Sequence, residues 1–202
     1  SVVLLHGATG SGKTTVYAHL IEEQIQLGKQ VLFLVPEIAL TTQIVQRLKQ
    51  YFGARAGVYH SGYNGNERTE TWSKVIAHEP GEYDIIIGAR SALLLPFERV
   101  GLIIVDEEHD SSYKQQDPAP RYNGRDAAVI LANFHQAKVL LGSATPSIES
   151  YRNAKTQRYG LVEITERYGN KPMPKIELVD LIKERKEKKN TQTFSERLAQ
   201  QI

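Results

Sequence analysis

Short apolar runs recur along the chain at Val2–Leu5, Val31–Val35, Gly57–Tyr59, Asp84–Ile87, Leu102–Val105 and Val139–Leu141. Each is apolar at consecutive positions rather than alternate ones, the pattern of strands buried on both faces of a parallel sheet. Between them apolar residues return with a helical period. The pattern predicts helices over Thr14–Leu27, stopped by Gly28, and over Ile38–Phe52, stopped by Gly53. Glu67–Ala77, Arg125–His135 and Ser147–Lys155 read the same way. Strands alternating with helices imply an α/β fold, a mostly parallel open sheet with helices on both faces. Ligands then bind at the carboxyl ends of the strands.

The pattern changes after about Arg167. A proline-bearing stretch precedes "IELVDL" (176–181), which reads as one more strand. The mixed-charge run "IKERKEKKN" follows, a solvated helix or linker, and "FSERL" opens with a candidate capping serine, Ser195. The expected division is a core domain over 1–167 and a connector over 168–202. The opening "SVVLL" is too short for a signal peptide and reads as a core strand in progress, so the chain is expected to be a piece of a longer protein.

Composition narrows the partners. Hydrophobic residues make up 41% and charged residues 24%, ordinary for a globular protein, and the formal net charge is only +2. Any nucleic-acid contact must therefore come from local clusters of cations. The absence of cysteine excludes disulfides and thiolate metal sites within these residues and fits a reducing compartment. No apolar run approaches the ~20 residues of a membrane span.

The chemistry is concentrated in two stretches. "HGATGSGKTT" places Gly7, Gly12, Lys13 and Thr14 in the spacing G-x-x-x-x-G-K-[ST], between an apolar strand and an amphipathic helix. Glycine backbone amides close around phosphate oxygens and the following helix adds its positive end. Thr9, Gly10, Ser11, Gly12, Lys13, Thr14 and Thr15 are thus the expected phosphate cradle. Lys13 reaches the β/γ phosphates and the Thr14 hydroxyl ligates Mg²⁺. In "GLIIVDEEH", Asp106 ends an apolar strand where it can hold Mg²⁺, and Glu107 can deprotonate the attacking water. A P-loop alone also fits a small-molecule kinase or a nucleotide-sensing module, and both readings stay open on these residues.

Other segments tilt that choice. "DEEH" (106–109) resembles the D-E-x-H box of superfamily 2 helicases, and "LVPEIALTTQ" (34–43) their first nucleic-acid-contacting motif. "IIIGARSALLLP" (85–96) resembles the next, with Arg90 and Ser91 placed to meet a phosphate backbone, and "LGSATPS" (141–147) the Ser-Ala-Thr motif. Together with "YHSGYNGNER" and "VDEEHDSSYKQQDPAPRYNGRD", they resemble the replication-restart helicase family, also called primosomal protein N′ or PriA. The resemblance covers about 1–167.

That resemblance implies a RecA-like motor lobe that uses ATP and Mg²⁺ to unwind DNA in the 3′→5′ direction during replication restart and primosome assembly. His109 would report nucleotide state, with Ser143 and Thr145 in the coupling motif. The loop beyond the box would sense single-stranded or forked DNA, with Tyr113 and Tyr122 as stacking faces and Lys114, Arg121 and Arg125 as phosphate contacts. For these residues the packing alternatives remain: Tyr122 turned inward, and Arg125 paired with Asp126 or another acid. Partners implied are primosome proteins and single-stranded-DNA-binding protein, in a bacterial cytoplasm and with no membrane. The family's zinc, arginine finger and adenine-reading segment are expected outside these residues. Trp72 is read as a core helix anchor, His6 as a packed strand residue, and His19, His78 and His135 as surface positions.

Overall fold

In a computed structural model the described residues are 1–37, 43–60, 62, 64–166, 176–188 and 194–199. Two compact units divide the chain, Ser1–Asn170 and Lys171–Ile202.

The first unit is built on seven parallel strands: β1 (Val2–Gly7), β2 (Gln30–Leu34), β3 (Ala56–Tyr59), β4 (Ile85–Gly88), β5 (Val100–Asp106), β6 (Lys138–Ser143) and β7 (Gly160–Ile164). Their order across the sheet is β3-β4-β2-β5-β6-β1-β7. Every strand expected in this unit is present: β2 and β4 are shifted by one residue, and the other four are extended at their ends. The half-exposed edge strand β7 was not expected, because none of its residues is fully buried and it lacks a long apolar run.

Helices α1 (Lys13–Gln26), α2 (Gln43–Phe52), α3 (Gly65–Ala77), α4 (Gly124–Phe134) and α5 (Ile148–Lys155) cover the two faces. Consecutive strand residues point to opposite faces, so neighbouring apolar positions serve different layers. Leu5, Val31, Phe33, Ile104 and Leu140 pack with Tyr17 and Ile21 of α1 and Val45, Leu48 and Phe52 of α2. Leu4, Leu32, Ile103, Val105 and Leu141 pack with Val75 of α3, Ala128 and Ala132 of α4 and Ala154 of α5. Each fully buried Leu, Ile or Phe contributes about 1.5–3 kcal/mol, so this double layer anchors the carboxyl edge on which the site rests.

Local signals explain the helix ends. Asn64 and Glu67 form a reciprocal capping box at the start of α3, with Glu67 N–H donating to Asn64 Oδ1 at 3.0 Å. Asn123 and Ser147 cap α4 and α5. The expected first segment of α2, residues 38–42, lies outside the described residues. Two side chains depart from expectation. Trp72 is not a core anchor, being 46% exposed on the outer face of α3. His78 is not a surface position: its side chain is 10% exposed and its Nε2 lies 3.6 Å from Asp84 Oδ1.

In the second unit, 176–180 is not a strand. Ile176 and Leu178 are exposed, and Asp180 Oδ1 accepts from the amides of Ile182 (2.9 Å) and Lys183 (3.0 Å), starting helix α6 (Leu181–Lys188). A capping aspartate overrode the β-branched run. Ser195 caps α7 (Glu196–Ala199) as expected, accepting from Leu198 N–H at 3.1 Å.

Candidate functional site

Three neighbouring strands bring the two chemical stretches together. β6 lies between β5 and β1, and the register pairs Asp106 with Gly142, Leu5 with Gly142, and His6 with Ser143. The P-loop, the acidic box and the Ser-Ala-Thr segment therefore emerge side by side at one sheet edge. The first two border a cavity of about 710 Å³ lined by Thr9, Gly10, Gly12, Lys13, Thr14, Thr15, Tyr17, Arg47, Asp106 and Glu107.

The loop over 8–12 turns because Gly10 (φ 79°) and Gly12 (φ 93°) take left-handed conformations that a side chain would strain. Gly12 starts α1 without a side-chain cap, so no capping side chain competes for the first-turn amides, of which that of Thr15 donates to Gly12 O at 2.9 Å. Lys13 is buried, its Nζ donating to Gly7 O at 2.6 Å and Ala8 O at 3.4 Å, which holds the ammonium at the cradle. Ser11 is partly buried beneath the loop, and its Oγ is enclosed with no hydrogen-bond partner among the described residues.

One turn beyond Lys13 on α1, Tyr17 donates its hydroxyl to Asp106 Oδ1 at 2.8 Å. Burial raises the Asp106 carboxyl above the ordinary aspartate range, while the Tyr17 hydrogen bond and the Lys13 charge act the other way. Burial, and then the Asp106 charge, push the Tyr17 hydroxyl well up, so it stays a donor. Glu107 takes a left-handed backbone conformation (φ 46°) that turns its half-exposed carboxylate to the cavity. Its Oε2 lies 3.6 Å from His109 Nδ1. His109 in turn meets Ser143 Oγ through Nδ1 (2.8 Å) and Thr145 Oγ1 through Nε2 (3.3 Å).

A hydroxyl on Thr14 and a carboxylate on Asp106, beside a phosphate cradle, form an all-oxygen donor set that fits Mg²⁺ shared with phosphates. Among the described residues there is no cluster of three or more His, Cys, Asp or Glu that could hold a metal unaided.

The loop beyond the box differs from expectation. Tyr113 is not a stacking face: it is 1% exposed, and its hydroxyl donates to Asp106 O at 2.7 Å. Arg125 is not open to phosphate either. Its side chain is 11% exposed and donates to Glu108 Oε2 (3.2 Å), Asp126 Oδ1 (2.9 Å) and Ser147 Oγ (2.6 Å). Arg90 holds the loop, donating to Ser112 O at 3.0 Å with its guanidinium 5.9 Å from the Tyr122 ring. Tyr122 packs partly against the core. The Ser91 hydroxyl is buried rather than turned to a phosphate backbone, and Ser143 is fully buried. Lys114 and Arg121 are exposed, with Lys114 Nζ donating to Arg121 O at 2.7 Å.

Three site residues carried no recognisable signal. Glu108, 2% exposed, accepts from Ser147 N–H (2.7 Å), Ser150 hydroxyl (2.8 Å) and Arg125, tying the box to α5 and α4. A third acid in a charged box reads as solvated, and nothing in the spacing marks its serine partners. Tyr17 and Arg47 reach the cavity from helix positions outside any motif.

Fold and site define a P-loop nucleotide-binding lobe of the RecA-like type. Solved structures agree on that fold: a RecG bound to a three-way DNA junction matches with TM-score 0.59 and 23% identity over 84% of this chain and 21% of that one. A DEAD box protein from the hyperthermophile Methanococcus jannaschii matches with TM-score 0.55 and 21% identity over 80% of this chain and 45% of that one. The chain belongs to the DEAD/DEAH box helicase family, whose profile matches residues 1–154. Membership implies ATP and Mg²⁺ as its cofactors.

Among curated relatives it is similar to the replication restart protein PriA of Chlamydia muridarum, 47% identical over 95% of this chain and 25% of that protein. The Bacillus subtilis PriA is 46% identical over 91% of this chain and 22% of that protein. The chain thus spans about a quarter of the length of these relatives. No helix among the described residues is long and apolar enough to cross a membrane.

Proposed function

We propose that this chain is the ATP-binding motor lobe of a DNA helicase acting in replication restart, with 168–202 as the connector toward a second lobe. The observation that carries the reading is His109. It stands between Glu107, at 3.6 Å, and the Ser143–Thr145 segment, at 2.8 and 3.3 Å, joining the hydrolytic box to the segment expected to respond to DNA. A small-molecule kinase has no use for that link.

In this reading Thr9 to Thr15 and the α1 amides grip the phosphates, and Lys13 moves from the Gly7 carbonyl to the transferred phosphoryl oxygens. Thr14 and Asp106 would hold Mg²⁺, which would supply positive charge to offset that of the phosphates. Glu107 orients the attacking water and accepts its proton. His109 registers the resulting change at Glu107 and passes it to Thr145. Lys114 and Arg121, the exposed cations of the loop, meet the DNA backbone. Similarity to PriA supports 3′→5′ unwinding at stalled forks, primosome proteins and single-stranded-DNA-binding protein as partners, and a cytoplasmic setting. The arginine finger, adenine-reading segment and zinc site would be supplied by other parts of the protein.

The test is Lys13→Ala in the intact protein. Unwinding driven by ATP should disappear, with DNA affinity in the absence of nucleotide unchanged. A variant that still unwinds forked DNA would refute the motor assignment. Failure of single-stranded DNA to raise wild-type ATP turnover would refute the coupling.

A further inference from the structure

Tyr17 belongs to no helicase motif quoted above, yet it reaches the floor of the nucleotide cavity. It lies one turn beyond Lys13 on α1 and therefore on the same helix face. Its ring is 1% exposed and meets Phe33 edge-on, with centroids 5.5 Å apart. A phenylalanine would fill that slot equally well, so packing does not account for the hydroxyl. The hydroxyl goes to Asp106 Oδ1 at 2.8 Å.

Room for it is made by the neighbouring strand. Gly142, on β6 beside both Asp106 and Leu5, has no Cβ. A Cβ there would fall on the Tyr17 hydroxyl and lie 2.9 Å from Tyr17 Cζ and 3.4 Å from Asp106 Oδ1. Two elements distant in sequence are thus shaped around one hydrogen bond.

We infer that Tyr17 is a positioning residue that fixes the Asp106 carboxylate toward the metal–nucleotide complex, and that Gly142 is the slot that admits its hydroxyl. The inference rests on the reading of Asp106 as a Mg²⁺ ligand. A carboxylate held at one oxygen loses rotational freedom before the metal arrives, so less ordering is left for the binding step.

The experiment uses the intact protein with a non-hydrolysable ATP analogue and Mn²⁺ followed by electron paramagnetic resonance. Tyr17→Phe should weaken Mn²⁺ in the ternary complex by about tenfold, the order expected for a hydrogen bond to a charged group. Nucleotide affinity in EDTA should stay within twofold of wild type, a readout that a merely structural role would not spare. Gly142→Ala should weaken Mn²⁺ similarly. Mn²⁺ affinity unchanged in Tyr17→Phe but lost in Asp106→Asn overturns the inference and leaves Asp106 as the ligand. Affinity unchanged in both variants overturns the reading of Asp106 as well. Mn²⁺ affinity unchanged in Gly142→Ala overturns the assignment of Gly142 as the slot.

Discussion

The nucleotide cradle and the loop that follows the acidic box contain similar kinds of residue but relate to solvent in opposite ways. In the cradle, Thr9, Gly10 and Thr15 are exposed and line the cavity with Gly12, Lys13 and Thr14. In the loop, one aromatic and one cation expected to contact nucleic acid, Tyr113 and Arg125, are folded inward. A phosphate cradle is made by backbone over a few consecutive residues, so local sequence determines it. Whether a tyrosine faces solvent depends on which distant strand end it meets, and Tyr113 meets the Asp106 carbonyl. The loop is better described as a brace for the box with a cationic outer edge.

Breaking the brace at its base should have the largest effect. Glu108→Ala would leave Arg125, the Ser147 amide and the Ser150 hydroxyl buried without their acceptor. Removing one partner of a buried pair costs about 3–5 kcal/mol. The melting temperature should therefore fall by about 6–20 °C for a chain of this size. Calorimetry of Glu108→Ala showing a fall of only a degree or two would mean that the contacts do not brace the fold.

A smaller effect of opposite sign is expected in the cradle. Burial raises the Asp106 carboxyl, so the folded state disfavours its charge. A group with a raised folded-state pKa contributes its full stability below the unfolded value and loses it as pH rises through the folded one. Asp106→Asn should accordingly melt higher than wild type at pH 8, with the advantage shrinking toward pH 4, while ATP turnover is lost. Thermal scans at the two pH values would check this, and an advantage that grows in acid would contradict it.

These outcomes bear on what was readable beforehand. The β1–P-loop–α1 unit and the strand ending at Asp106 were legible because apolar runs and glycine spacing are local signals. Glu108 was not, since its serine partners lie about forty residues away and only the β5–β6 pairing brings them near. Trp72 was misread because an amphipathic pattern gives a helix an inner face without saying which large residue stays outside it. The strand expected at 176–181 failed for a related reason: β-branched residues favour a strand only where a neighbour offers pairing, and Asp180 caps a helix instead.

The smallest effects should separate the brace from its outer edge. Tyr113→Phe removes the hydrogen bond to the Asp106 carbonyl and should cost about 1 kcal/mol of stability with DNA stimulation of ATP turnover intact. Lys114→Ala with Arg121→Ala should do the reverse, lowering stimulation severalfold with little change in melting temperature or basal rate. Equal losses of basal and stimulated turnover in the double variant would make the loop structural throughout.

The left-handed backbone at Glu107 (φ 46°) carries a warning for anyone seeking a hardier version of this protein. Such a conformation costs a non-glycine residue about 1–2 kcal/mol. A search for stabilising substitutions guided by backbone geometry would therefore place glycine at 107 and be rewarded with a higher melting point. The same change would delete the carboxylate proposed to activate water. Here heat tolerance and turnover compete for one position, so improvement by backbone relaxation should begin elsewhere, at Tyr83, Gln136 or Gln157, which share the left-handed conformation and line no part of the nucleotide cavity.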